Sequence, residues 1–257
     1  LGRAQRFDGH RVAVPENELV AAAQAAGGEV APAMAATSQT LMAFYEAMHR
    51  RFGPQHWWPG DTPLEVCVGA ILTQNTNWTN VQRAIANLKS AGCMSVGALH
   101  ALKPSALAEL IRPAGYFNVK AKRLKNFIAA VHAHSAQDLQ AFLDRPVAAL
   151  REALLEIRGV GRETADSIIL YAAGKPSFVV DAYTYRILLR HGLISPDDDY
   201  EAIKELMESS LPADVALWND YHAQLVAVGK QYCRPTARCP GCPLEKFPHD
   251  PEAGKED

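Results

Sequence analysis

Apolar residues return along this chain every three or four positions, with polar residues between them. Leu41, Phe44, Tyr45 and Met48 precede a break at Gly53-Pro54; Leu64, Cys67, Val68, Ile71 and Leu72 follow, and then Val81, Ile85 and Leu88. Farther on, Val147, Leu150, Leu154, Leu155 and Ile157 make one stripe, and Ala165, Ile168, Ile169 and Ala172 another. That period belongs to helices with one buried face. Strand-like alternation is almost absent. Breaks fall at Pro59-Gly60, Gly92, Pro104, Pro113-Ala114-Gly115, Pro146, Gly174-Lys175-Pro176, Gly192 and Pro196, so the pattern predicts an all-α fold cut by Gly and Pro loops. Residues 1–37 read differently. The run from Val20 to Gly28 and on to Ala36 is low in complexity and poor in large apolar groups, which predicts a tail or a marginal helix with no assigned function.

A chain of 257 residues, 48% of them hydrophobic, can bury a real core and is long enough for one large or two modest domains. No apolar run approaches the roughly 20 residues a membrane-spanning helix needs, and no charged start with an apolar block marks an export signal. The expectation is a soluble, cytoplasmic monomer with no membrane partner, associated with the nucleoid if the source is bacterial. The formal charge of −2 argues, as a total, against a nucleic-acid partner. Its distribution argues otherwise. No Asp or Glu occurs from Leu110 to Gln137, where Arg112, Lys120, Lys122, Arg123 and Lys125 fall, nor from Tyr221 to Leu244, where Lys230, Arg234 and Arg238 fall. Basic residues gathered on one face can bind phosphates at near-zero net charge, although any single one also suits a solvated helix surface.

Between the two later stripes lies Ile157-Arg158-Gly159-Val160-Gly161-Arg162-Glu163, so residues 147–173 read as helix, hairpin, helix. Gly159 and Gly161 are expected to take backbone angles closed to other residues and to bring bare peptide against a ligand. The helix opening at Arg162 adds unpaired N–H groups, a setting for an anion such as a DNA phosphate. A two-glycine turn alone also serves simply to connect packed helices. Beyond it, Phe178-Val179-Val180 leads into Asp181, either the cap of a helix beginning at Ala182 or an acidic reaction centre, roles that one carboxylate can combine.

The five cysteines divide by setting. Cys67 lies in an apolar helical pattern and Cys93 follows a glycine, which predicts incidental thiols. Cys233, Cys239 and Cys242 share a short loop with three prolines and a glycine. Without an export signal such a cluster favours a metal over a disulfide, and either zinc or iron–sulfur uses thiolates.

Hairpin, downstream aspartate and C-terminal cysteine loop, in this order, resemble the endonuclease III family of helix-hairpin-helix DNA glycosylases from about Thr40 to Phe247. Ala70-Ile71-Leu72-Thr73-Gln74-Asn75-Thr76 and Gly115-Tyr116-Phe117-Asn118-Val119-Lys120-Ala121-Lys122 are similar to further family segments. The resemblance implies two helical domains with a cleft between them: a bundle over 61–175, and a second domain from 38–60 plus 176–247, with a metal-cluster loop at 233–242 and a tail at 248–257. It implies base excision from damaged double-stranded DNA by base flipping, with Gln74 filling the gap and Gly159, Gly161, Arg162, Lys120, Lys122, Arg234 and Arg238 on the DNA. Asp181 would stabilise positive charge on the sugar and orient or deprotonate water.

Two positions depart from the family pattern. Members that also cut the strand carry a lysine where this chain has Glu163, and a carboxylate forms no Schiff base with the sugar. A monofunctional glycosylase follows; the alternatives are a bifunctional oxidised-pyrimidine glycosylase using another amine, such as Lys120 or Lys175, and a non-catalytic damaged-DNA binder. In the cysteine loop the family implies a [4Fe-4S] cluster, yet Pro248 stands near the expected fourth cysteine. His249 is the candidate replacement and Asp250 a weaker one; zinc, a three-iron cluster or no metal are alternatives. His56-Trp57-Trp58-Pro59 resembles the Trp-Trp-Pro of the superfamily's 3-methyladenine glycosylases, which implies Trp57 and Trp58 as walls for an alkylated base. Core packing alone would also use them.

Overall fold

The computed structural model describes residues 35–254, and among these every regular element is helical. Most of the predicted 1–37 tail lies outside the described residues. Residues 35–52 form α1, followed by α2 (Pro63–Thr73), α3 (Trp78–Ser90), α4 (Val96–Ala101), α5 (Pro104–Leu110) and α6 (Phe117–Ser135). After these come α7 (Leu139–Leu143), α8 (Val147–Leu155), α9 (Arg162–Ser167), α10 (Ala182–Arg190), α11 (Tyr200–Ser210) and α12 (Val215–Gln231).

Local chemistry sets the ends of these helices. Thr62 caps α2 by accepting the Glu65 N–H, Pro63 takes the first turn, where a missing N–H costs nothing, and the Glu65 carboxylate reaches back to the Asp61 N–H. Asp138, Asp181, Asp199 and Asp214 cap α7, α10, α11 and α12 in the same way, each worth about 1 kcal/mol.

Two apolar cores form. One gathers Val68, Ile71, Leu88, Leu99, Leu124, Phe127, Phe142, Leu150 and Ile168 from α2 through the end of α9. The other joins Leu41, Phe44 and Met48 of α1 to Phe178, Ile187, Leu188, Met207, Trp218 and Tyr221. Each fully buried large side chain contributes roughly 1.5–3 kcal/mol. Leu170 belongs to the second core and its neighbour Ile169 to the first, so the chain crosses between them just after the hairpin.

A buried polar knot ties the hairpin helix to α11. Asp166 is fully buried and accepts from Arg151, Ser177 and Tyr200, while Arg151 also reaches Glu201. The expected tail after 247 is packed as far as it is described. The Asp250 N–H donates to the Arg190 carbonyl, and Arg190 Nε donates to the Ala253 carbonyl.

Candidate active site

The hairpin between α8 and α9 is built as its sequence implies, with one correction. Gly159 has φ +101°, and a Cβ there would run into the Arg123 side chain, so both backbone angle and space require glycine. Gly161 has φ −95° and ψ 179°, extended backbone open to any residue. Its added Cβ would meet nothing within 4 Å, so its bareness leaves open space before α9 and relieves no strain. Gln74, at the C-cap of α2, donates to the Gly159 carbonyl at 3.2 Å and to the Thr164 hydroxyl at 2.9 Å, and accepts from Arg123. Gln74 and Arg123 thus brace the hairpin from two helices. The second stripe also differs from a regular helix: α9 winds into a π turn over Ile168–Ala172, a rare form common at functional sites, and this turn carries Tyr171.

Of the expected phosphate contacts, Arg162, Lys122, Arg234 and Arg238 are exposed. Arg162 is engaged by Glu201 at 3.2 Å and Asp199 at 3.7 Å. Lys120 needs correction: it is buried, and its ammonium donates to the Ala114 carbonyl at 2.7 Å. Burial and the nearby Arg123 push its pKa down to about 8. It braces the 112–115 turn from inside the fold. The sequence reading passed over Tyr116, which is 73% exposed at the start of α6 with φ +44°.

Asp181 and Glu163 line one cleft of about 810 Å³ with Tyr185, Arg186 and Tyr200. Asp181 caps α10: its Oδ1 accepts the Thr184 N–H at 2.8 Å and the Thr184 hydroxyl at 3.0 Å. Its Oδ2 lies 3.6 Å from His222 Nε2 on α12. Burial alone would raise this carboxyl, but His222 and the Thr184 hydrogen bonds outweigh it and hold the group below the ordinary aspartate range. Glu163 moves the other way, raised by desolvation and then by the charge of Asp181. His222 Nδ1 sits 2.5 Å from the Tyr171 hydroxyl. Neither Tyr171 nor His222 stood out in the sequence, because no short motif surrounds either.

Trp57, Trp58, Trp78 and Tyr171 form one aromatic cluster, which Tyr171 joins to His222. Trp58 meets Trp57, Trp78 and Tyr171 with ring centroids 5.2–5.3 Å apart. Gly69 makes room, since a Cβ there would stand 3.1 Å from Trp58 Nε1 and 3.3 Å from Trp78. Lys230 Nζ lies 5.8 Å from the Trp57 ring centre. The buried indole N–H of Trp58 has no hydrogen-bond partner, and that of Trp57 has only the Tyr171 hydroxyl nearby, outside good hydrogen-bond geometry; an unpaired buried donor is costly unless a ligand supplies an acceptor. Asp220 fixes the segment that delivers the tryptophans: it accepts the Gln55 N–H at 2.9 Å and holds Tyr45, His49 and Gln224 on its other oxygen.

Cys233, Cys239 and Cys242 line a common cleft of about 360 Å³ with His191, His249 and Arg190. Among the described residues no three His, Cys, Asp or Glu side chains are drawn together closely enough to hold a single metal ion. Arg190 is buried, and its acceptors are the carbonyls of Arg234, Pro235 and Ala253 and the sulfur of Cys233 at 3.3 Å. His249 Nδ1 lies 2.8 Å from the Phe247 carbonyl. A carbonyl only accepts, so Nδ1 carries the proton and the neutral ring keeps its lone pair on Nε2.

The family model for HhH-GPD superfamily base excision DNA repair proteins matches residues 68–213. The chain belongs to this superfamily. A Methanocaldococcus jannaschii protein named as a DNA repair glycosylase is 45% identical over 212 residues, covering 81% of this chain and 96% of that one. Endonuclease III of Thermotoga maritima is 29% identical over 67% of this chain and 76% of its own length. Among solved structures, the H. pylori 3-methyladenine DNA glycosylase bound to 1,N6-ethenoadenine matches with TM-score 0.66 and 28% identity, over 76% of this chain and 97% of that one. A non-covalent endonuclease III–DNA complex shares the fold, with TM-score 0.71 and 21% identity over 84% and 96% of the two chains. The all-α expectation and the family resemblance are both met: the chain is a member of the helix-hairpin-helix base excision DNA repair glycosylase family. No described helix is long and apolar enough to cross a membrane.

Proposed function

We propose that this superfamily member is a monofunctional glycosylase: it flips a damaged base from duplex DNA, hydrolyses its N-glycosidic bond and leaves the abasic strand uncut. The observation that carries this reading is Glu163 sharing the cleft of Asp181. In strand-cleaving members a lysine at the Glu163 position attacks the sugar, and a carboxylate lacks the amine for that step. The amines weighed as substitutes are both occupied. Lys120 is bound to the Ala114 carbonyl, and Lys175 donates to the carbonyls of Leu143 and Arg145.

As the bond to the base breaks, positive charge grows on the sugar. The ionised Asp181, fixed by Thr184, stabilises that charge and directs the attacking water. The hairpin and the exposed Arg162, Lys122, Arg234 and Arg238 hold phosphates. Gln74 would exchange its hairpin hydrogen bonds to enter the vacated stack, and Tyr116, an exposed ring at the start of α6, would serve the same end.

The substrate class is an alkylated purine. Trp57, Trp58, Trp78 and Tyr171 offer aromatic surface to a flat base, and a base made cationic by alkylation both stacks on such faces and leaves easily. The solved 3-methyladenine glycosylase with bound 1,N6-ethenoadenine is a relative at 28% identity, which supports the same class here. Oxidised pyrimidines are the alternative.

For the cysteine loop the reading is a thiolate-bound cluster, which would have to draw the three thiols closer together than they stand here. Three thiols share a cleft, a buried guanidinium donates to one sulfur, and His249 keeps a free lone pair beside them. Cys233, Cys239, Cys242 and His249 would hold a [4Fe-4S] cluster, which would shape the 234–238 loop for contact with phosphates. A broad sulfur-to-iron absorption band in the purified protein supports iron, whereas a colourless protein with bound zinc overturns this part.

The function is tested with duplexes bearing a single cationic 7-methylguanine, 1,N6-ethenoadenine, thymine glycol or dihydrouracil, scoring free base and strand breaks with and without alkali. Release of the alkylated base with breaks only after alkali is expected. Breaks without alkali, or a covalent adduct trapped by borohydride, would overturn the monofunctional reading. Tight binding with no base release would leave a damaged-DNA binder instead.

A further inference from the structure

His222 is buried on α12 between two groups from other elements. Its Nδ1 is 2.5 Å from the Tyr171 hydroxyl on the π turn, and its Nε2 is 3.6 Å from Asp181 Oδ2 at the start of α10. Nε2 has no closer hydrogen-bond partner. Glu163 of α9 adds a second carboxylate on the same side.

The directions of these contacts follow from chemistry. Tyr171 is buried beside Asp181 and Glu163, both of which oppose its ionisation, so the phenol keeps its proton. The phenol can donate to Nδ1 or accept from it; acceptance by a neutral ring would leave a bare Nε2 lone pair against Asp181 Oδ2, so the favourable arrangement has the phenol donating to Nδ1 and the ring carrying its proton on Nε2. That N–H faces Asp181 Oδ2. Oδ1 is already held by the N–H and hydroxyl of Thr184.

We propose that His222 is a positioning residue for Asp181, held in its Nε2–H form by Tyr171, so that the carboxylate is gripped at both oxygens from two helices. This rests on the reading of Asp181 as the catalytic carboxylate. Thr184 alone leaves the carboxylate free to tilt about the Oδ1 contact, whereas a second donor on Oδ2 fixes its plane against the sugar. Catalytic hydrogen bonds are often long before substrate binds, and the 3.6 Å contact shortens when DNA excludes water from the cleft. In this arrangement His222 does not touch the reacting atoms and acts through Asp181.

The test joins spectroscopy to kinetics. Long-range proton–nitrogen NMR of the full ¹⁵N-labelled chain, with His222 assigned by its loss in His222→Gln, is expected to show the Nε2–H tautomer at neutral pH. Tyr171→Phe is expected to erode that preference. Single-turnover base release is measured across pH on whichever duplex, bearing 1,N6-ethenoadenine, thymine glycol or dihydrouracil, the native protein processes fastest. His222→Leu should slow release about 10- to 100-fold, the scale for losing a hydrogen bond to a charged group, and move the acidic limb to higher pH. His222→Gln, which keeps an N–H donor, should recover most of the rate. Affinity for a duplex with a non-hydrolysable abasic analogue should stay unchanged in both His222 variants.

An Nδ1–H tautomer overturns the proposal, as does a His222→Leu protein with native rate and native acidic limb. If His222→Leu fails to fold, the tautomer and the Tyr171→Phe rate decide alone, and a native rate in Tyr171→Phe with an unchanged tautomer sinks it. Asp181→Asn, run in parallel, separates the two readings. Native speed there removes the catalytic role of Asp181 itself, while a slow Asp181→Asn beside a native His222→Leu removes only the positioning role.

Discussion

Glu163 and Asp181 face the same cleft, and their surroundings drive the two carboxyls apart. Desolvation and the charge of Asp181 raise Glu163, whereas His222 and Thr184 overcome burial and lower Asp181. Carboxyls separated in this way take different tasks in one site. In the proposed mechanism Asp181 stays charged for the sugar, and Glu163 takes the position of the lyase lysine.

The raised carboxyl carries a pH signature in stability. Because the folded chain holds the Glu163 proton more tightly than the unfolded chain does, stability from this group is complete below the ordinary glutamate value of 4.5 and is lost as pH rises through the folded value. Glu163→Gln does not titrate. Its melting temperature should therefore exceed that of the native chain at neutral pH, with the gap closing below the ordinary glutamate range. Thermal unfolding of both proteins across pH checks this, and a constant gap would contradict it. The effect should be small, because the side chain is partly open to solvent.

Placing an amine at the same position should change the outcome of the reaction. Glu163→Lys puts a side-chain amine into the cleft beside Asp181, within the setting in which a Schiff base with the sugar forms. Borohydride treatment during turnover should trap a covalent protein–DNA adduct with this variant and none with the native chain, as read by gel mobility.

The two hairpin glycines should respond differently to alanine. Gly159 combines φ +101° with a clash against Arg123, so Gly159→Ala should lose about 1 kcal/mol or more of stability and weaken DNA binding. Gly161→Ala meets neither obstacle in the free protein. It should melt normally and lose affinity only, by holding DNA phosphate away from bare backbone. Denaturant titrations and DNA-binding isotherms of both variants distinguish the cases.

Removing Asp166 should be costly although it touches no substrate. It is fully buried and balances Arg151 while accepting from Ser177 and Tyr200. Asp166→Ala leaves Arg151 and two hydroxyls short of a partner, and breaking such a buried pair costs about 3–5 kcal/mol. The midpoint of urea unfolding should fall accordingly.

The helices and the hairpin could be read from sequence because their signals are local. Periodic Leu, Ile and Val residues mark the buried faces, and Gly159, Gly161 and Asp181 sit in short runs whose backbone chemistry is self-contained. What the sequence hid depends on contacts between distant elements. Tyr171 lies among the residues of the Ala165–Ala172 stripe and His222 in the acid-free run from Tyr221 to Leu244, neither marked as chemistry, and only the packing of α12 against the π turn brings their polar atoms together. Arg123 reads as one surface cation among five, yet it binds Gln74 and packs on Gly159. Lys120 misled for the converse reason: a basic run predicts an exposed face, and the turn of α6 that points Lys120 inward shows only in three dimensions. Gly161 was assigned a strained angle because glycine permits one, whereas its neighbours require only open space.

The central claim is that the carboxylate of Asp181 drives base release. Asp181→Asn preserves the side-chain oxygen that accepts from Thr184, so the cap and the fold should survive while the negative charge is lost. Single-turnover release of free base by this variant, from the lesion duplex that the native chain processes fastest, is the most direct measurement. A loss of about 100-fold or more, with the melting temperature and DNA affinity retained, is the predicted result. Base release at the native rate would contradict the account.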